Sequence, residues 1–158
     1  NNKFIVVANY NCSVQTVISG QEDAIDGAME VLKAQGAKRA LKLNTSGPFH
    51  TIKLEKAKEA YEKELVNIDF NLDTKVKVIK NIDGTYYTEN DNIKEILANH
   101  IISPVRFDKA IKLMNDRGID TYMEIGPGKA LSGFVKRELP DANVYTLGKL
   151  GPGPNFLI

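Results

Sequence analysis

The chain has no tryptophan and a single cysteine in 158 residues. One thiol excludes an internal disulfide, and Cys12 has no companion at metal-ligand spacing, so neither a disulfide scaffold nor a cysteine-held metal centre is available. That usage fits a reducing compartment. An excess of charge of one sign is also missing: Lys and Arg number 21 against 20 Asp and Glu, which removes any global attraction to nucleic acid or to an acidic membrane. Long hydrophobic runs are absent as well. The stretch Phe4 to Ala8 is far too short to cross a bilayer, and the N-terminal residues lack the charged-then-apolar layout of a secretion signal. These absences together predict a cytoplasmic protein with no nucleic-acid or membrane partner. The strand-to-helix serine elbow G-x-S-x-G is missing too, since Ser46 and Ser132 each precede a glycine but neither has one two positions earlier.

What is present is the ordinary balance of a globular protein. Hydrophobic residues at 42% and charged residues at 26% supply both a core and a solvated surface, excluding disordered and fibrous classes. The length suits one compact unit, or one and a half. Lys3 to Ala8 and Gln15 to Ile18 read as two short strands with Asn9, Asn11 and Ser13 between them. From Gln21 to Gln35 the apolar residues recur at helical spacing and Gly36 supplies a stop. Arg39 to Leu43 alternates as a strand, and Asn44 to Thr51 carries turn chemistry around Gly47 and Pro48. Ile52 to Val66 is a helix; Lys75 to Ile79 reads as a strand before an Asp83-Gly84 turn. Helices follow over Asn92 to Ile102 and Phe107 to Arg117, the second ended by Gly118. A strand over Tyr122 to Ile125, a helix over Ala130 to Leu139 and a last strand over Asn143 to Leu147 complete an α/β alternation. Gly151 to Ile158 is a shift in composition and reads as a linker or appended tail, outside the fold.

Only two histidines exist, which narrows the search for a general base to His50 and His100. His50 is favoured because it follows a strand and a Gly-Pro turn, where a scaffold presents side chains into a cleft. Cys12 could serve a Cys-His hydrolase, although nothing in its sequence neighbourhood activates the thiol. Gly126 to Lys129, between a strand and a helix, invites a phosphate cradle, but the P-loop spacing is missing and a tight structural turn accounts for it.

Four segments in order, ANYNCSVQTVISG over 8–20, KRALKLNTSGPFH over 38–50, HIISPVRF over 100–107 and EIGPGKALSGFVKR over 124–137, resemble the C-terminal half of bacterial malonyl-CoA:acyl-carrier-protein transacylases. The resemblance implies the rear part of a hydrolase-like parallel-sheet domain plus most of a ferredoxin-like α+β subdomain. Residues 1–45 would then form part of the small subdomain, 46–150 the C-terminal part of the acyltransferase domain and 151–158 the tail. It also implies transfer of malonyl from malonyl-CoA to acyl carrier protein through a serine ester in fatty acid synthesis, with no cofactor and no metal. His50 matches the general base that activates the serine and later the incoming thiol. Phe49 matches a position that is bulky where malonyl is accepted and small where methylmalonyl is, a one-methyl discrimination of roughly 1 to 3 kcal/mol. A backbone carbonyl within 99–103 would take a hydrogen bond from the imidazole, as an Asp does in a serine triad. His100 stands where that family often has glutamine and would orient the site beside substrate; Asn11 would line the cleft. The usual Pro-Gly before Gln15 is replaced by Ser13-Val14. The serine elbow and the arginine that pairs with the malonyl carboxylate lie upstream of these segments in that family, so an N-terminal half is an expected partner and the chain alone is expected to be inactive. The alternative is a non-catalytic fragment that binds acyl carrier protein.

Overall fold

A computed structural model describes residues 3–45, 47–71 and 75–148; Ser46 and the 151–158 tail lie outside them. The apolar start of the chain forms β1 (Ile5–Cys12), which pairs antiparallel with β2 (Gln15–Gly20). Cys12 faces Gln15, so Ser13 and Val14 alone make the turn. Asn9 and Asn11, expected in the connection, are inside β1. Two breaks in register leave Ala8 and Asn11 as the extra residues of bulges, and this lets the strand continue through polar positions.

Helix α1 (Glu22–Ala34) follows and stops as its sequence dictates. Gly36 takes φ +94°, and the amide of Ala37 donates to the Leu32 carbonyl at 2.9 Å, the wrap that satisfies last-turn carbonyls. The strand expected over Arg39 to Leu43 does not form. Leu41 and Leu43 are more than half exposed, no ladder reaches them among the described residues, and Lys42 instead bridges to Glu22 and Asp26 of α1 at 2.7 and 3.1 Å. Alternation supplies a strand-like face; a neighbouring edge must supply the hydrogen bonds.

After the loop to residue 51, a 3₁₀ turn (Ile52–Leu54) leads into α2 (Glu55–Leu65), which packs on α3 (Ile93–His100). The strand expected over Lys75 to Ile79 is reduced to one bridge, Ile79 to Tyr86, across the Asp83-Gly84 turn. Lys80 follows that bridge directly. Its backbone closes the turn while its buried ammonium takes Asp91 at 3.2 Å and Asp83 at 3.6 Å. Gly84 sits at φ +75° against α4, where a β-carbon would lie 2.4 Å from that of Lys109.

Beyond α3, β3 (Val105–Arg106) pairs parallel with β1, Asn9 facing Val105 and Tyr10 facing Arg106, to give the order β2-β1-β3. Helix α4 (Phe107–Asp116), β4 (Thr121–Glu124), α5 (Ala130–Glu138) and β5 (Asn143–Thr146) build the remaining layer, with β4 and β5 parallel and in register. Ile111, Tyr122 and Val135 form its core, with Phe107, Met114, Phe134 and Val144 packed around them. Each such side chain contributes about 1.5–3 kcal/mol on burial. Among the described residues the result is a mixed α/β fold of small sheets and five helices. No helix among the described residues is long and apolar enough to cross a membrane.

Candidate active site

His50 is the one non-glycine residue with positive φ among those described, at +58°. A left-handed backbone at a residue with a β-carbon costs on the order of 1–3 kcal/mol and persists only where its surroundings hold it. The holding group is Thr51, which is 1% exposed. Its hydroxyl donates to the Pro48 carbonyl at 2.8 Å and accepts from the Lys53 amide at 3.3 Å, so one side chain ties the strained residue to the turn before it and the 3₁₀ turn after it.

The ring of His50 is fixed from the far side of the chain. Nδ1 lies 3.1 Å from the backbone carbonyl oxygen of His100, at the end of α3. A carbonyl only accepts, so Nδ1 carries the hydrogen, and in the neutral ring Nε2 is left with a free lone pair. That is the tautomer a general base requires. The His100 ring packs beside it, centroids 5.0 Å apart and tilted by 38°, and its Nε2 is buried with no hydrogen-bond partner among the described residues. Burial, and then the charge of His50, depress the His100 pKa below the usual histidine value.

The other residues expected at the site are placed less tightly. Phe49 is half exposed beside His50, with Gly47 under its ring edge. Asn11 is the half-buried bulge of β1. Cys12, next to it, is a free thiol at 3% exposure, closed to bulk reagents. A clamp around β1 and β3 is a feature that sequence pattern does not show. Arg106 grips Asp108 with two nitrogens at 3.0 and 2.7 Å and stacks 4.4 Å over the Tyr10 ring, across the strand pair. A two-residue strand leaves no periodicity to find.

The Gly126 to Lys129 turn is not an open anion cradle. Glu124 occupies the start of α5, accepting from the amides of Ser132 at 2.8 Å and Leu131 at 3.3 Å. The bond from the Ser132 amide is the foremost cause holding its carboxyl below the ordinary value. No group of three or more His, Cys, Asp or Glu suited to a metal occurs among the described residues. A surface hollow of about 330 Å³, lined by Gly118, Asp120 and residues 138–142, contains neither histidine.

A fold of this kind is shared with acyltransferases. The particular relatives are malonyl CoA-acyl carrier protein transacylases, to whose C-terminal part the chain is similar. The Bacillus subtilis protein of that name is 43% identical over 133 residues, 84% of this chain and 42% of the relative. The Staphylococcus aureus (strain MSSA476) protein is 35% identical over 148 residues, 94% of this chain and 48% of its own length. The crystal structure of the Clostridium perfringens transacylase superposes with a TM-score of 0.87 at 43% identity, covering 94% of this chain and 46% of that one. A malonyl-transacylase solved in complex with a type II PKS acyl-carrier protein gives 0.82 at 29% identity, over 92% and 46%. The chain thus spans about half the length of the relatives it matches. No protein-family model matches it.

Proposed function

We propose that this chain supplies the histidine-bearing part of a malonyl-CoA:acyl-carrier-protein transacylase acting in fatty acid synthesis. The observation that carries the reading is the bond from His50 Nδ1 to the His100 carbonyl, because it leaves Nε2 as a base at a rigid, half-buried position. The nucleophile would be a serine on an N-terminal half. In the first step its hydroxyl proton passes to His50 Nε2 as the oxygen attacks the malonyl thioester, and the proton then leaves on the coenzyme A thiolate. In the second step the carrier's thiol gives its proton to Nε2 and attacks the serine ester, and the serine oxygen takes the proton back. The imidazolium formed each time keeps its Nδ1–H on the His100 carbonyl, the part a carboxylate plays in a serine triad. Phe49 would stand as a pocket wall and Asn11 along the cleft.

An N-terminal half as partner is supported by the β4–β5 pair. Parallel sheets are normally covered on both faces, yet this one has two strands, with Met123, Ile125 and Tyr145 all more than half exposed. The division into a small subdomain over 1–45 and an acyltransferase part over 46–150 belongs to the same reading, with β1 the strand that touches both through β2 and β3.

The test is transfer of labelled malonyl from coenzyme A to acyl carrier protein by this chain alone and mixed with a serine-bearing N-terminal half. Activity only in the mixture, abolished by His50→Ala, is the expected result. Association of the halves and binding of carrier protein without transfer would replace it with a non-catalytic carrier-binding role.

A further inference from the structure

The His100 ring is used by no step above, which calls only on its backbone carbonyl. Its geometry is nevertheless particular. The ring is half-buried, stands 5.0 Å from the His50 ring, and has a buried Nε2 that meets no acceptor. A protonated His100 would bury an N–H with nothing to receive it, whereas the neutral ring can leave a bare lone pair there at smaller cost. His50 is in the opposite position, since its Nδ1–H has a carbonyl in either protonation state.

Several other charges on nearby elements are engaged elsewhere. On α2, Lys58 takes Glu55 and Glu62; on α3, Lys94 donates to the Val66 carbonyl and Glu95 meets the Asn92 cap; at the start of α4, Arg106 holds Asp108. Among the described residues, the titratable group whose charge acts on His100 is His50.

We infer that His100 is a positioning residue whose ring, held neutral against His50, makes the two histidines a unit that carries one proton, located on His50. The proton taken from a nucleophile is therefore kept on His50 Nε2 for the leaving thiolate and is not passed on to the second imidazole. The functional meaning rests on His50 being the base, but the coupling is measurable without any transfer.

The chain's having only two histidines makes the experiment direct. Imidazole resonances are followed against pH by ¹H–¹³C NMR in the whole chain and in His50→Asn, asparagine being one of the non-glycine residues that tolerate positive φ. In the unsubstituted chain His100 is expected to titrate below the ordinary histidine range. In His50→Asn its midpoint is expected to move upward while remaining depressed, because burial persists after the neighbouring charge is gone. Superposable His100 curves in the two proteins would overturn the inference, as would a His100 that titrates at or above the ordinary value in the unsubstituted chain. Should His50→Asn fail to fold, that second outcome still decides the matter. Retention of malonyl transfer by the complemented His50→Asn protein would instead refute the role of His50 and leave the coupling standing.

Discussion

Replacing Thr51 by valine tests the claim that one hydroxyl holds the strained loop. Valine matches threonine in shape, so packing at this 1% exposed site is preserved and only the two hydrogen bonds are lost. The Pro48 carbonyl loses its donor and the Lys53 amide its acceptor at the start of the 3₁₀ turn. A polar group left unsatisfied costs about 1–3 kcal/mol and a lost helix-start cap ~1 kcal/mol. Part of that is recovered because His50 can relax from φ +58°, leaving a net loss of about 2 kcal/mol. With urea slopes of about 1–3 kcal/mol per M, the unfolding midpoint should fall by ~1 M. Thr51→Ser keeps the oxygen, loses a methyl and should cost about 1 kcal/mol. The same relaxation frees the His50 ring, so transfer by the complemented enzyme should fall further in Thr51→Val than in Thr51→Ser. A Thr51→Val protein with an unchanged midpoint and slope would refute the reasoning.

Two glycines with nearly equal positive φ should respond differently to alanine. Gly118 has nothing within 4 Å of a β-carbon and should lose only ~1 kcal/mol, whereas Gly84 meets α4 and should lose ~3 kcal/mol or more by thermal or urea unfolding. Ile111→Ala, at the 1% exposed centre of the core, should cost about 2–5 kcal/mol in the same measurement. Glu124→Gln should destabilise at neutral pH and converge with the unsubstituted protein in acid. The folded carboxyl titrates below its unfolded value, so its contribution is present above the unfolded pKa and lost as pH falls through the folded one. Unfolding curves that stay separated in acid would contradict this.

Helices α1, α4 and α5 were legible because periodicity and stop signals agree, with Gly36 and Gly118 closing α1 and α4 in the left-handed conformation. The segments 39–43 and 75–79 carry the same kind of alternation as true strands, but a strand depends on an edge elsewhere in the chain, and neither has one beyond a single bridge. β3 is invisible for the converse reason: its two residues are fixed by β1, nearly a hundred positions earlier. At the site, a histidine after a Gly-Pro turn was readable. The acceptor that sets its tautomer, the His100 carbonyl, lies 50 residues away on the backbone, where no side-chain pattern reports it; only the resemblance pointed to the 99–103 segment.

Glu124 at the head of α5 gives the turn after β4 a resident anion. Because that carboxylate is tethered only seven and eight residues from the amides it binds, an external phosphate must displace a carboxylate already seated on them. The anion at this most phosphate-like turn is thus one the chain brings itself.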